Sequence, residues 1–357
     1  MKITPVSSKK THRAFLEVPK HIYKNDPNWI PPLERDINFI FDPKQNKAFQ
    51  SGNIKRWLLY DDFNNLIGRI AAFYYQDIIV NAQSPKAGIG YFECIHHQEA
   101  ANQLFDQAIE WLKSNGVSII DGPINFGERD KFWGLLVQGF KPPSYLENYN
   151  PSYYQELFEN YGFREHFKQE SFEIRRENVD IQRMGKIAQR IDRKTRYEVE
   201  FLDLKHLDHY AKHFIEIYNK AWQDFEDFSP LSREDAKQLI LQLKDIMIRD
   251  FILFIFIKGK PAGFMAFLPD VNQIFKHVDG KLDLMGKIKF LWYKKFKTIN
   301  KLKGLVFGVH PDFQNSGADA LLVYHLMTSL EKHPHIEWAE LSWIGSFNPK
   351  MQSFLQN

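Results

Sequence analysis

Residues 306–322, VFGVHPDFQNSGADALL, constrain this chain most, because they read as a strand, a tight turn and a helix start in immediate succession. Phe307 and Val309 are strand formers around Gly308, and Pro311 ends the ladder because it has no N–H to donate. Gln314-Asn315-Ser316-Gly317-Ala318 then bends the chain, and Ala320, Val323, Met327 and Leu330 recur at helical spacing. A turn of this kind aims several backbone N–H groups at one point, which also carries the positive end of the helix dipole. That point suits a phosphate or pyrophosphate. The turn by itself is equally compatible with a plain strand–turn–helix crossover that holds no ligand.

The rest of the chain repeats a plan. A helix is expected over 12–24, strands over 56–60 and 66–74 around an Asp61–Asn65 loop, and a strand over 90–94. Residues 99–114 place Ala101, Leu104, Phe105, Ala108, Ile109 and Leu112 on one helical face, closed by Gly116. A strand over 117–120, a long loop and a helix over 151–160 follow. In the second half a strand is expected over 197–204, and helices over 207–222 and over 232–247 with Ser232 as the N-cap. A hairpin joins 251–257 to 262–268. After a Lys-rich insertion at 271–303 come the opening motif, a strand over 338–344 and a helix starting at Asn348-Pro349. The shared order is helix, hairpin, strand, helix, strand, helix, which predicts an α/β chain with mixed α+β sheets, folded as two similar lobes over 1–170 and 171–357.

The motif resembles motif A of the GCN5-related N-acetyltransferase (GNAT) family, which runs strand, V-x-P, Q/R-x-x-G-x-G/A, helix. Val309-His310-Pro311, Gln314 and Gly317 match, and Asp319 departs, standing where the family has Gly or Ala. The element order of both halves is similar to GNAT topology, so the resemblance covers nearly the whole chain as a tandem pair. Residues 15–32, FLEVPKHIYKNDPNWIPP, with Gly-Pro-x-Asn at 122–125, look like a group of bacterial two-lobed GNAT-like proteins.

The resemblance implies acetyl-CoA as co-substrate in the second lobe. Phe307, Gly308 and Val309 would form the strand end beside the pantetheine. Gln314, Asn315, Ser316, Gly317, Ala318, Asp319 and Ala320 would face the pyrophosphate. Acetyl transfer to an amine needs the amine uncharged and a donor for the developing oxyanion. Glu340 and Ser342 share one face of the fifth strand by alternation, and Asn348 stands where many members have an Asn near the CoA thiol. Plainer roles are open for each: Glu340 on a solvated sheet face, and Asn348 as the N-cap before Pro349. Tyr324 and His325 read as packing or surface residues. The family fold carries two strands after its fourth helix. Here they are expected to be missing or supplied by another segment.

The first lobe has Ile95-His96-His97-Gln98 where a glycine turn would stand, and so reads as degenerate for CoA. Its long loop 121–150, with Trp133, Phe140, Tyr145 and Tyr149, is a candidate wall for an acceptor pocket or a strap over a sheet face. His96 and His97 near Glu93 do not make a closed metal-ligand set, so no metal is expected.

Composition bounds the remainder. A 357-residue chain suggests two domains, and a net charge of +3 gives no case for nucleic acid. One cysteine excludes an internal disulfide framework and fits a reducing compartment. Neither a signal-peptide core nor a run long enough to span a bilayer is present, and a cytoplasmic protein is expected. G-x-S-x-G and Walker A patterns are absent. The expected activity is direct acyl transfer to a small-molecule or peptide amine, accepted in the cleft between the lobes. Two alternatives stay open: a non-catalytic CoA- or partner-binding protein, and an aminoacyl-tRNA-dependent transferase. The basic, aromatic segment 281–303 reads as a solvated helical cap or a contact for a membrane surface or nucleic acid.

Overall fold

The computed structural model describes residues 1–76, 87–127, 131–194, 196–223, 230–296, 299–346 and 348–356. The chain divides into two compact units, one of residues 1–166 with 272–296 and one of residues 167–271 with 297–357. The insertion at 272–296, placed by sequence within the second lobe, thus packs in the first unit.

The first unit opens with β1 (Lys2–Pro5), α1 (Lys9–Ile22), α2 (Glu34–Ile40), β2 (Gly52–Tyr60), β3 (Leu66–Tyr75), β4 (Ala87–Cys94), α3 (Gln98–Ser114) and α4 (Tyr154–Tyr161). The four strands form one antiparallel sheet in sequence order. Alternation divides β2 between two faces: Trp57 and Leu59 join Leu104, Phe105 and Phe158 under α3 and α4, whereas Leu58 joins Phe15 and Val18 of α1. A capping box of Ser8 and Thr11 starts α1, and Gly162, at φ +114°, ends α4. The strand expected over 117–120 does not form. Only Asp121 bridges to Gly88, in parallel, and Ile119 is exposed.

The second unit contains β5 (Gln169–Arg175), α5 (Ile181–Lys194), β6 (Tyr197–Phe201), α6 (Leu207–Ala221), α7 (Arg233–Leu243), β7 (Ile252–Ile257) and β8 (Lys260–Pro269). Helices α8 (Asn272–Phe275) and α9 (Leu284–Phe296) then belong to the first unit. The second resumes with β9 (Lys301–Val309), α10 (Ala318–Glu331), β10 (Trp338–Gly345) and α11 (Pro349–Gln356). Its six strands run β5-β10-β9-β8-β7-β6, with β9 and β10 parallel and every other pair antiparallel. Leu253, Ile255 and Ile257 of β7 face Leu321, Leu322 and Met327 of α10, while Phe254 and Phe256 face Phe214 and Ile217 of α6. The strand on the outer side of β10 is β5, a segment read by sequence only as a lobe boundary.

Candidate functional site

In the second unit β9 and β10 pair only over 301–304 opposite 338–341. Beyond Gly304 and Leu341 they part, β9 staying with β8 up to Val309 and β10 with β5 up to Gly345. Leu305 is skipped in the β8–β9 register and stands exposed at this opening. Phe307, Gly308 and Val309 pair with Met265, Phe264 and Gly263, and the Trp222 ring lies so close to Gly308 that a Cβ there would sit 2.8 Å from it.

The turn follows at once. Asn315 (φ +64°) and Gly317 (φ +87°) are both left-handed, and α10 starts at Ala318 with no side-chain cap. The Ser316 amide donates to the Phe313 carbonyl at 3.1 Å, the Ala318 amide to Ser316 Oγ at 3.3 Å and the Ala320 amide to Asp319 Oδ1 at 2.9 Å. Among the described residues the amides of Asn315, Gly317 and Asp319 take no part in these bonds, so three amides around the helix start remain for an anion. Gly317 is fixed twice, by its φ and because a Cβ would lie 2.4 Å from Ile191 Cδ1 on α5. The turn therefore fits a phosphate group, with one opposing charge, the Asp319 carboxylate, held at the same pole.

The residues expected to do chemistry are spent differently. Glu340 accepts from Lys301 Nζ at 2.6 Å; this buried ammonium also lies 3.4 Å from Asp270 and over the Trp338 ring. Asn348 Oδ1 accepts from the Met351 amide at 3.2 Å and so caps α11. Ser342 sits where β10 has left β9, inside the register break between Leu341 and Ile344. Tyr197 and His325 share a hydrogen bond at 3.1 Å, which makes His325 a packing residue.

The first unit holds a small, partly open cavity. It begins where β4 leaves the segment 121–124. The Ile89 amide donates to Asp121 O and the Ile124 amide to Ile89 O. Gly90 permits this approach, since a Cβ would fall 2.0 Å from the Ile124 carbonyl oxygen. Tyr91 then turns left-handed (φ +51°), breaking the register with β3. Arg69, Tyr91, Phe92 and Glu93 line the cavity from the sheet, and Asn125, Phe132 and Leu135 line it from the 121–150 strap. Residues 128–130 of that strap lie outside the described residues. Side-chain amides tie the strap down in place of strand pairing. Asn150 both accepts from and donates to Leu136, Asn148 donates to Gly134 O, and Tyr145 and Tyr149 donate to Asp36 and Asp26.

At the cavity floor Arg69 is 3% exposed. Its Nη2 lies 3.4 Å from Glu93 Oε1 and its Nη1 donates to Phe15 O at 2.6 Å, while Nε has no partner among the described residues. Tyr154 donates to Glu93 Oε2 at 2.8 Å and accepts from the Cys94 amide. Burial pushes the Glu93 carboxyl up against the downward pull of Arg69, and pushes the Cys94 thiol up to about 12. Cys94 is therefore a thiol at neutral pH, not a nucleophile. Sequence reasoning missed Arg69 and Tyr154, and weighed Glu93 only beside His96 and His97. An arginine inside the apolar run LIGRIAAF was the available signal. His97 instead caps α3, His96 stacks on Tyr153, and no cluster of three metal-ligating side chains occurs among the described residues.

A tandem GNAT protein from the clavulanic acid biosynthesis pathway superposes with a TM-score of 0.51 at 10% identity, covering 99% of this chain and 92% of its own. The fold is tandem GNAT-like. A GCN5-related glucosamine N-acetyltransferase region of a fungal multi-domain GH3 β-N-acetylglucosaminidase also superposes at 0.51 and 11% identity, over 96% of this chain, which spans 35% of that one. No family model matches the sequence. Among curated proteins, the bacterial ceramide synthase of Caulobacter vibrioides (strain NA1000 / CB15N) is 27% identical across 100% of this chain and 94% of its own. Protein YghO of Escherichia coli (strain K12) is 25% identical across 98% and 90%. Within the GNAT-like plan, the parted strands and the Gly317 turn belong to the second lobe, and the buried Arg69–Glu93–Tyr154 set to the first. No described helix is long and apolar enough to cross a membrane.

Proposed function

We propose that this chain is an acyl-CoA-dependent N-acyltransferase that joins an acyl group to the amine of an amino-alcohol lipid. The observation that carries the reading is the parting of β9 from β10 directly ahead of the uncapped Gly317 turn. The full-length likeness to a bacterial ceramide synthase supports the acceptor class, because a ceramide is the amide of a long-chain amino alcohol. Acetyl-CoA is the shortest donor of the class, and longer acyl chains are proposed beside it.

The amides of Asn315, Gly317 and Asp319 would receive the donor's pyrophosphate. The neutral amine attacks the thioester carbonyl carbon: a C–N bond forms, the C–S bond breaks, sulfur leaves with the electron pair, and the proton lost from nitrogen ends on that sulfur, giving the amide and the free CoA thiol. Ser342, where β10 has left β9, is the proposed donor to the reacting thioester.

A second reading rests on the cavity of the first unit. There Glu93 would accept an N–H of the amine, and Arg69 Nε would find its missing acceptor in the neighbouring hydroxyl.

Calorimetric titration with acetyl-CoA and a long-chain acyl-CoA tests the donor site, followed by mass detection of the amide formed from a 2-amino-1,3-diol. Gly317→Glu should abolish binding. Asp319→Ala should tighten it about 2–5-fold, the equivalent of ~0.3–1 kcal/mol for a charge at a helix N-terminus. A folded wild-type chain that binds no acyl-CoA and makes no amide would overturn the reading.

A further inference from the structure

We infer that α9 is an interfacial helix that seats the first unit on an anionic lipid surface. Large apolar side chains stand in solvent along it: Leu284 is 79% exposed, Leu291 64%, Phe296 61%, Met285 60%, Ile288 53% and Trp292 52%. At the helical turn angle these six share one face, an arc of about 140°. Single exposed apolar residues are ordinary, but six on one helix face mark a contact surface.

The rotation of the helix is fixed by its inner side. Phe290 stacks on Phe275 at 5.5 Å and Tyr293 on His277 at 4.0 Å. Gly286 is buried, since a Cβ there would lie 2.0 Å from the Lys281 carbonyl oxygen. The apolar face cannot turn inward without giving up these contacts.

The charge pattern selects the occupant. Residues 281–296 carry five lysines and one acid, Asp283. On the wheel Lys287 and Lys294 flank the apolar arc on one side and Lys289 on the other. Lys295 falls within the arc, with a stem long enough to carry its ammonium to the lipid headgroups. Two copies meeting through this face would bring like charges together, whereas an anionic surface meets both the apolar arc and its basic borders. Trp292 and Phe296 suit the headgroup boundary. Thirteen residues, about 20 Å of helix, are too short to span a bilayer and long enough to lie in its surface.

The test is co-sedimentation of the full chain with phosphatidylcholine vesicles, with and without phosphatidylglycerol. Wild type should bind the mixed vesicles, and raising salt from about 0.1 M should weaken binding by shortening a Debye length of ~10 Å. Ile288→Ser/Leu291→Ser/Trp292→Ser should lower the bound fraction at least about tenfold by removing buried apolar area. Lys287→Gln/Lys289→Gln/Lys295→Gln should erase the preference for phosphatidylglycerol. Every substituted side chain is exposed, and thermal melting verifies that both variants fold. A wild type that binds neither vesicle, or an apolar variant that binds like wild type, overturns the proposal. So does concentration-dependent dimerisation in light scattering that the apolar variant abolishes, which would assign the face to a second copy.

Discussion

Arg69→Leu should lower the stability of the first unit by about 3–5 kcal/mol in urea denaturation, because it leaves a buried carboxylate without its cation. The guanidinium is 3% exposed and serves two acceptors, Glu93 Oε1 and the Phe15 carbonyl, so both oxygens lose their donor together while Tyr154 still donates to Glu93 Oε2. Arg69→Leu/Glu93→Leu should recover much of the loss, since replacing both charges with apolar groups removes the uncompensated ion. The deficit should depend on pH. Burial already raises the proton affinity of Glu93, and Arg69 is the largest opposing cause. Without Arg69 the folded-state pKa rises further above the unfolded value of about 4.3, and protonation then favours the folded form. The single variant should thus differ least from wild type at about pH 4 and most at neutrality. A deficit under ~1 kcal/mol at pH 7, the scale of an exposed pair, would contradict this account.

Lys301→Met should have a comparable effect on the second unit, about 3–5 kcal/mol. The ammonium is buried at the base of β9, 2.6 Å from Glu340 and 3.4 Å from Asp270, and its removal leaves two carboxylates facing one another. It also joins β8, β9 and β10, because Asp270 follows β8 and Glu340 lies on β10. Its loss should therefore loosen the parallel pair whose opening forms the proposed donor site. Hydrogen exchange should show the amides of 301–304 opening in the variant while those of the first unit keep wild-type protection. Equal loss of protection in both units would refute a local role for Lys301.

The legible parts of this fold are those where one periodicity dominates. The face of Leu104, Phe105 and Ala108, and the two strands of the β7–β8 hairpin, carry patterns that few other elements could satisfy. Residues 117–120 have strand composition, but the Asn115-Gly116 turn and the single bridge at Asp121 leave them without a ladder. Helix α5, with Ile181, Met184, Ala188 and Ile191 at helical spacing, is an element the sequence reading does not include. At the turn, the sequence flagged Asp319 as out of place, and only the structure shows its carboxylate holding the Ala320 amide. The Arg69–Glu93–Tyr154 set joins β3, β4 and α4. No spacing rule links residues whose proximity comes from sheet register and helix packing.

The position of β5 beside β10 bears on how the chain acquires its shape. Arg175 faces Trp338 across that pair, so the strand is synthesised long before its partner exists. The first unit likewise waits for α8 and α9, which are translated after most of the second unit's strands. Neither unit can be completed in the order in which its residues leave the ribosome. Closing such distant contacts is slow, and an unpaired β5 edge is open to wrong partners meanwhile. A cut between residues 166 and 167 would therefore not yield two self-sufficient halves, although the lobes look like a simple duplication.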